Sequence, residues 1–265
     1  MNYLKLKTNV ANLSSGVKTI TRKMLWKYGY EIIWHNKVER EKRLPPEFSQ
    51  EDMDILHSVK SYTMTSEQRV LALIKATRYV YENEISGDIV ECGVYKGGSM
   101  MAVAQTLCLL HSTDKTLYLY DTFEGMPAPV LEDGEHAQMK FNKMRTQEDR
   151  ADWCRAPLAE VQANMFSTGY NPQKMIFIKG KVQDTIPRNI PDKISLLRLD
   201  TDFYESTQHE LAHLFPRLSH GGVIILDDYG YWQGQKKAMD EYIRNHKIKL
   251  LLNIIDDAGR IGVKV

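Results

Sequence analysis

Two apolar runs in this 265-residue chain each end in acid. Residues 194–199 lead into Asp200-Thr201-Asp202, and residues 223–226 lead into Asp227-Asp228, so the leading acids stand 27 positions apart. A helix-like segment lies between them, which is the pattern of a strand–helix–strand crossover with parallel strands. Both strands then finish on the same edge of the sheet, the edge at which open α/β sheets bind ligands. Three carboxylates gathered there, Asp200, Asp227 and Asp228, would repel one another unless a cation joined them. An all-oxygen ligand set suits Mg²⁺, Ca²⁺ or Mn²⁺ better than zinc. Asp202 is the alternative to Asp200; Asp200 is preferred because it ends the strand directly. Asp227-Asp228 could also be a simple turn after a strand.

A second cluster, Glu91-Cys92-Gly93-Val94-Tyr95-Lys96-Gly97-Gly98-Ser99, joins an apolar run to a helical one. Its glycines let the backbone approach a ligand closely, and the free N–H groups of the helix start favour an electronegative partner. The spacing is not GxGxxG, which argues against a dinucleotide pyrophosphate. Glu91 would repel phosphate but could hold an ammonium group. Asp121 ends the next apolar run, where an acid can accept hydrogen bonds from two ribose hydroxyls. Gln183, after a further run and Gly180, could read an adenine edge. Other candidates carry bland readings beside chemical ones. His209 and His213 are four apart but lack HExxH, so packing or surface roles are expected. His136 could be a second acid/base near substrate. Trp153, Tyr229, Tyr231 and Trp232 could stack on a sugar face or simply be buried.

The elements that position these residues follow from periodicity. Strands are expected at 88–92, 117–121, 175–179, 194–200, 223–227, 249–255 and 262–265, and helices near 98–111, 157–168, 205–215 and 234–246. This alternation argues for a mostly parallel α/β sheet. A further helix follows Thr65-Ser66-Glu67-Gln68, read as a capping box with Thr65 as the cap. Residues 47–62 look irregular or briefly helical. Residues 124–155 fit neither period and are expected to be a long loop, a lid or a substrate-recognition element. Residues 1–60 form an expected helical extension, in which Met24, Leu25, Tyr28, Ile32 and Ile33 make a stripe broken by Pro45-Pro46; the domain proper is 61–265.

Composition is that of a globular protein, 43% hydrophobic and 26% charged. No apolar run reaches the length of a membrane span, and no signal-peptide pattern is seen. Cys92, Cys108 and Cys154 show no CxxC spacing, so neither a disulfide framework nor a zinc site is expected, and a cytoplasmic location is. Net charge is +1. Residues 1–45 nevertheless hold ten Lys/Arg against three Glu. That arm could contact an acidic surface or, more blandly, help subunits dock. Nucleic-acid binding is not indicated, because no basic stripe interleaved with aromatics continues beyond it.

Taken together, these motifs resemble the class I, metal-dependent S-adenosylmethionine O-methyltransferases, of which catechol O-methyltransferase is a familiar member. They resemble most closely the macrocin O-methyltransferase group, which methylates sugar hydroxyls. The matching segments are 91–98, 121–127, Asp184-Thr185-Ile186-Pro187, 199–207 and 221–229. The resemblance implies a Rossmann-like, seven-stranded mostly parallel sheet with helices on both faces. It implies that Met64, Glu91, Gly93, Tyr95, Gly97 and Ser99 hold the methionine part of S-adenosylmethionine, that Asp121 takes the ribose and Gln183 the adenine. Asp200, Asp227 and Asp228 would bind Mg²⁺. Asp200 would also face the cofactor and serve as general base toward a small-molecule or glycan hydroxyl. A homodimer is expected. Rival readings are a phenol or catechol O-methyltransferase and a non-catalytic relative that binds the cofactor. The segments 1–45 and 124–155 depart from the family pattern.

Overall fold

The computed structural model describes residues 48–265. The compact unit runs from Glu47 to Val265. The basic arm and the helical stripe expected within residues 1–43 lie outside the described residues.

Seven strands form one sheet: β1 (Asp88–Cys92), β2 (Leu117–Asp121), β6 (Met175–Lys179), β7 (Ile194–Leu199), β8 (Leu218–Leu226), β9 (Asn253–Ile254) and β10 (Arg260–Val263), in the order β6-β2-β1-β7-β8-β10-β9. The first five are mutually parallel, while β10 runs antiparallel to both its neighbours. The helices are α1 (Gln50–Val59), α2 (Glu67–Glu82), α3 (Gly98–Leu109), α4 (Gly134–Met144), α5 (Leu158–Phe166), α6 (Val182–Thr185), α7 (Tyr204–Leu214) and α8 (Gln233–His246). Three short strands, β3 (Met126–Pro127), β4 (Arg145–Gln147) and β5 (Arg150–Ala151), make a second small sheet. Among the described residues no helix is long and apolar enough to cross a membrane.

Side chains alternate across a strand, and this decides what each face holds. Val90, Cys92, Leu197, Leu199, Ile224 and Leu226 point into one apolar core with Leu211, Leu214 and Met239 from α7 and α8. Glu91 and Arg198, one position out of step, therefore share the other face, and they sit opposite each other in the β1–β7 register. Helix α1 packs onto α2 and α3. It buries Met53, Ile55, Leu56 and Val59 and is tied to α2 by an Asp52–Arg78 ion pair at 2.7 Å. The segment expected to belong to the extension thus begins the folded unit at Ser49, whose side chain caps α1.

Several expected boundaries shift for identifiable reasons. Strand β8 starts at Leu218 rather than 223, because Gly221 and Gly222 exchange backbone hydrogen bonds with Lys264 at 2.7 and 2.9 Å instead of turning the chain. The strand expected at 249–255 shrinks to Asn253–Ile254, an edge paired only with β10. Its partner starts early, at Arg260, because Asp256 accepts from the N–H groups of Ala258 and Gly259 and closes a tight turn. Ser66, not Thr65, caps α2. The Thr65 hydroxyl instead reaches across to Asp227 at 2.9 Å. Residues 124–155 are ordered rather than one long loop. Strands of two or three residues carry no readable alternation, and α4 buries only Ala137 and Phe141.

Gly93 is the first residue past β1 and has φ +84°. A Cβ there would lie 2.1 Å from the backbone oxygen of Asp200, which cannot move without disturbing the end of β7. Gly93→Ala is expected to lower stability by more than the ~1 kcal/mol that a left-handed conformation alone costs an L-residue, read as a fall in the urea midpoint. Glu210 of α7 is fully buried beneath the same strand ends and accepts the Thr201 hydroxyl at 2.9 and 3.1 Å. Burial pushes its pKa up to about 8. The folded state then holds a proton that the unfolded chain releases near ~4.3, so this group's contribution falls as pH rises from there through about 8. Glu210→Gln should flatten that part of the stability–pH curve; an unchanged slope would show that Glu210 does not titrate there.

Candidate active site

The carboxyl ends of β1, β2, β7 and β8 lie side by side. Backbone bonds from Gly93 to Tyr120 (2.8 Å), Asp200 to Cys92 (2.8 Å) and Asp227 to Leu199 (3.0 Å) fasten one strand end to the next. A cavity of about 530 Å³ opens over this edge.

Arg198 lies at the centre of the wall beneath it, although it stands in a strand whose every residue is buried. Its Nη1 contacts Glu91 Oε1 at 2.5 Å, and its Nη2 lies 2.8 Å from Asp200 and 2.7 Å from Asp227. Two carboxylates crowd that one nitrogen, so neither is well aligned for a hydrogen bond. Arg69 of α2 approaches from the other side. It contacts Asp227 Oδ2 at 2.5 Å and Asp256 at 3.0 Å, lies 3.9 Å from Asp228, and donates to the Asp227 carbonyl at 3.0 Å.

Both oxygens of Asp227 are therefore engaged by arginines. The acids that converge are Asp200, Asp202 and Asp228, with carboxylate oxygens within 4.8 Å of one another. This differs from the expected grouping of Asp200, Asp227 and Asp228. The cause is the turn after β7: Asp202 has φ +67°, and the Phe203 N–H bonds to the Thr201 carbonyl at 2.7 Å, a tight γ-turn that folds Asp202 back toward the strand ends. Asp228 is positioned by Gln235, fully buried, which accepts from its N–H at 2.9 Å and donates to the Leu199 carbonyl at 3.3 Å. Burial raises the pKa of all three acids, that of Asp202 to about 7. Arg198 opposes the rise at Asp200, whereas the neighbouring acids reinforce it. Three converging carboxylates, Asp202 buried and Asp200 and Asp228 half-buried, are a set a hard divalent cation would fit.

Of the residues expected at the methyl donor, Met64, Gly93, Tyr95, Ser99, Asp121, Gln183 and Asp200 line the cavity. Asp121 also ties the glycine turn down: its carboxylate accepts from the N–H groups of Val94 (2.7 Å), Tyr95 (3.1 Å) and Phe123 (2.6 Å). Glu91 and Gly97 do not line it. Glu91 lies within β1, as the strand expected at 88–92 has it, is fully buried against Arg198, and is pushed up to about 7 by burial. Its carboxylate is turned to Arg198 rather than into the cavity. Gly97 serves the backbone instead, entering α3 at φ +92°.

The far wall is aromatic. Trp153, Tyr231 and Trp232 line the cavity, with Trp153 and Trp232 packed edge to face at 5.6 Å. The Tyr229 hydroxyl is turned away to Asp240, 2.6 Å. His136 stacks on Trp232 outside the cavity lining. His209 bonds to the Ile186 carbonyl at 3.0 Å, with His213 beside it, away from the cavity. Sequence reading missed Arg69, Arg198, Thr65 and Lys140. Only Arg198 carries a local signal, a guanidinium inside the otherwise uncharged run Ile-Ser-Leu-Leu-Arg-Leu.

The chain is similar to proteins of known activity. Residues 7–261 match the family model described as macrocin-O-methyltransferase. An enzyme of Streptomyces olivaceus, 8-demethyl-8-(2,3-dimethoxy-α-L-rhamnosyl)-tetracenomycin-C 4'-O-methyltransferase, is 32% identical over 199 residues, covering 75% of this chain and 74% of that one. The demethyldecarbamoylnovobiocin O-methyltransferase of Streptomyces niveus is 32% identical with the same coverage. The solved structure of the O-methyltransferase NovP superposes with a TM-score of 0.69 at 30% identity, over 77% of this chain and 82% of that one. With its class I methyltransferase sheet and the cavity at the strand ends, the chain belongs to the macrocin O-methyltransferase family and is an S-adenosylmethionine-dependent O-methyltransferase.

Proposed function

We propose that the protein transfers the methyl group of S-adenosylmethionine to a hydroxyl of a sugar, carried on a natural product or a glycan, with a divalent cation, Mg²⁺, at the acid cluster. One observation carries this reading: the converging acids Asp200, Asp202 and Asp228 open into the same cavity as the glycine turn 93–99 and the aromatic wall. The curated relatives, one of them named for a rhamnosyl substrate, support a sugar acceptor.

Residue roles follow from position. Ser99 stands in the first turn of α3, whose free N–H groups suit the methionine carboxylate, with Tyr95 and Met64 beside it. Asp121 faces the ribose and Gln183 the adenine. The reaction is a displacement at carbon, so the chain must align oxygen, methyl and sulfur, and must take up the hydroxyl proton. Trp153 and Trp232 are buried, and Tyr231, exposed in the cavity lining, offers ring surface for a sugar face. Asp200, at the strand end beside the glycine turn, is the proton acceptor. When bound, the cation supplies Lewis acidity that lowers the pKa of a hydroxyl beside it. Asp200 and Asp228 would hold the cation, and either Asp202, already in the cluster, or Asp227, expected from the motif, would complete the ligand set. The protein is proposed to act as a homodimer.

EDTA should abolish transfer to a glycoside acceptor and Mg²⁺ restore it; full activity in EDTA would remove the cation from the account. Asp200→Asn should lower kcat by on the order of 10²-fold or more, the usual size of a lost general base. Asp202→Asn and Asp227→Asn separate the two ligand sets. The variant that loses Mg²⁺ binding by calorimetry identifies the third ligand.

A further inference from the structure

Three cations line the cavity: Arg69, Lys140 and Lys181. Arg69 is committed to Asp227 and Asp256, and Lys181 is paired with Asp149 at 2.9 Å. Lys140 is different. It projects from α4, half-buried, with its ammonium 4.2 Å from the centre of the Trp153 ring, 5.0 Å from that of Trp232 and 5.8 Å from that of Tyr231. Among the described residues no carboxylate lies within ion-pair distance of it. Asp202 is the acid that feels its charge through space. Asp200 and Asp227 of the same wall are paired with arginines. The ring faces hold the ammonium in place by cation–π attraction, and no direct ion pair neutralises it. The cation thus stands at the aromatic part of the cavity lining, where no group of the methyl donor is assigned.

Resting on the methyltransferase reading above, we propose that Lys140 is a specificity-determining residue and that the acceptor sugar carries an anionic substituent, a carboxylate or a phosphate. The sugar lies beside the exposed Tyr231 ring in the cavity, and its charged group reaches the Lys140 ammonium. A lysine rather than an arginine fits this task, because a compact point charge on a flexible stem can meet either anion without fork geometry. The half-exposed position keeps the contribution modest and makes it sensitive to salt.

The test is calorimetric binding to the full-length protein saturated with S-adenosylhomocysteine and Mg²⁺. Paired ligands are phenyl β-D-glucoside against phenyl β-D-glucuronide, and glucose against glucose 1-phosphate. The expected result is at least about tenfold tighter binding of one charged partner over its neutral counterpart, roughly 1.4 kcal/mol. The preference should be abolished in Lys140→Met, retained in Lys140→Arg and weakened by added salt. The pair that shows it tells carboxylate from phosphate. Equal affinities in the unaltered protein, an unchanged ratio in Lys140→Met, or no binding of either charged ligand would overturn the proposal. S-adenosylhomocysteine affinity is measured on the same samples. Its absence in the unaltered protein would instead sink the reading of the site, and its loss in Lys140→Met alone would mark a folding defect, with Lys140→Gln then deciding.

Discussion

A guanidinium buried in the middle of a parallel sheet would be ruinous alone, and the ends of four strands are arranged around making it tolerable. Arg198 is enclosed on every side, and its charge is matched by Glu91 in the neighbouring strand and by Asp200 and Asp227 above it. Such a network need not add stability relative to an apolar core, but breaking it by removing one partner typically costs about 3–5 kcal/mol. What it secures is position. Asp200 and Asp227 come from different strands, and a shared cation of the protein's own holds them at a defined separation. Arg69 repeats the device from the helical layer, linking Asp227 to the β9–β10 turn through Asp256.

The site therefore contains more negative charge than a protein edge ordinarily sustains, and it does so in two tiers. The lower tier, Glu91 and Asp227, is answered by arginines. The upper tier, Asp200, Asp202 and Asp228, is only partly answered, and burial together with mutual repulsion raises the pKa of each. That imbalance is what makes the upper tier receptive to a divalent ion. The strained turn at Asp202 belongs to the same logic, since left-handed non-glycine residues persist where surrounding structure holds them and concentrate at functional sites. Beside the acids, the segment 126–153 contributes Trp153 and Lys140 to the same cavity, so charged and apolar surface meet there.

Much of this was legible in the residues themselves. The strand–helix alternation, the glycine turn and the acids ending β2, β7 and β8 are local signals: hydrophobic period, glycine where a side chain cannot fit, charge where an apolar run stops. The small sheet β3-β5-β4 was not, because strands so short show no alternation and are held by pairing with distant segments. Glu91 was read as a ligand contact from the glycine turn that follows it, while the register of β1 against β7 sets its carboxylate against Arg198, which no local pattern records.

The sequence by itself determined the fold class, the family and which edge of the sheet carries the chemistry, because each depends on patterns contained within a few tens of residues. Only the tertiary structure decided how the acids divide. Asp227 goes to Arg69 and Arg198, and Asp202 joins Asp200 and Asp228, because those choices depend on cations contributed from a helix 158 residues away and from the adjacent strand. It also decided that Lys140 stands over Trp153 and Trp232, residues 13 and 92 positions further along. Charge pairing and ring contacts act through space, and no period or spacing in a linear chain records which distant side chain will arrive to satisfy them.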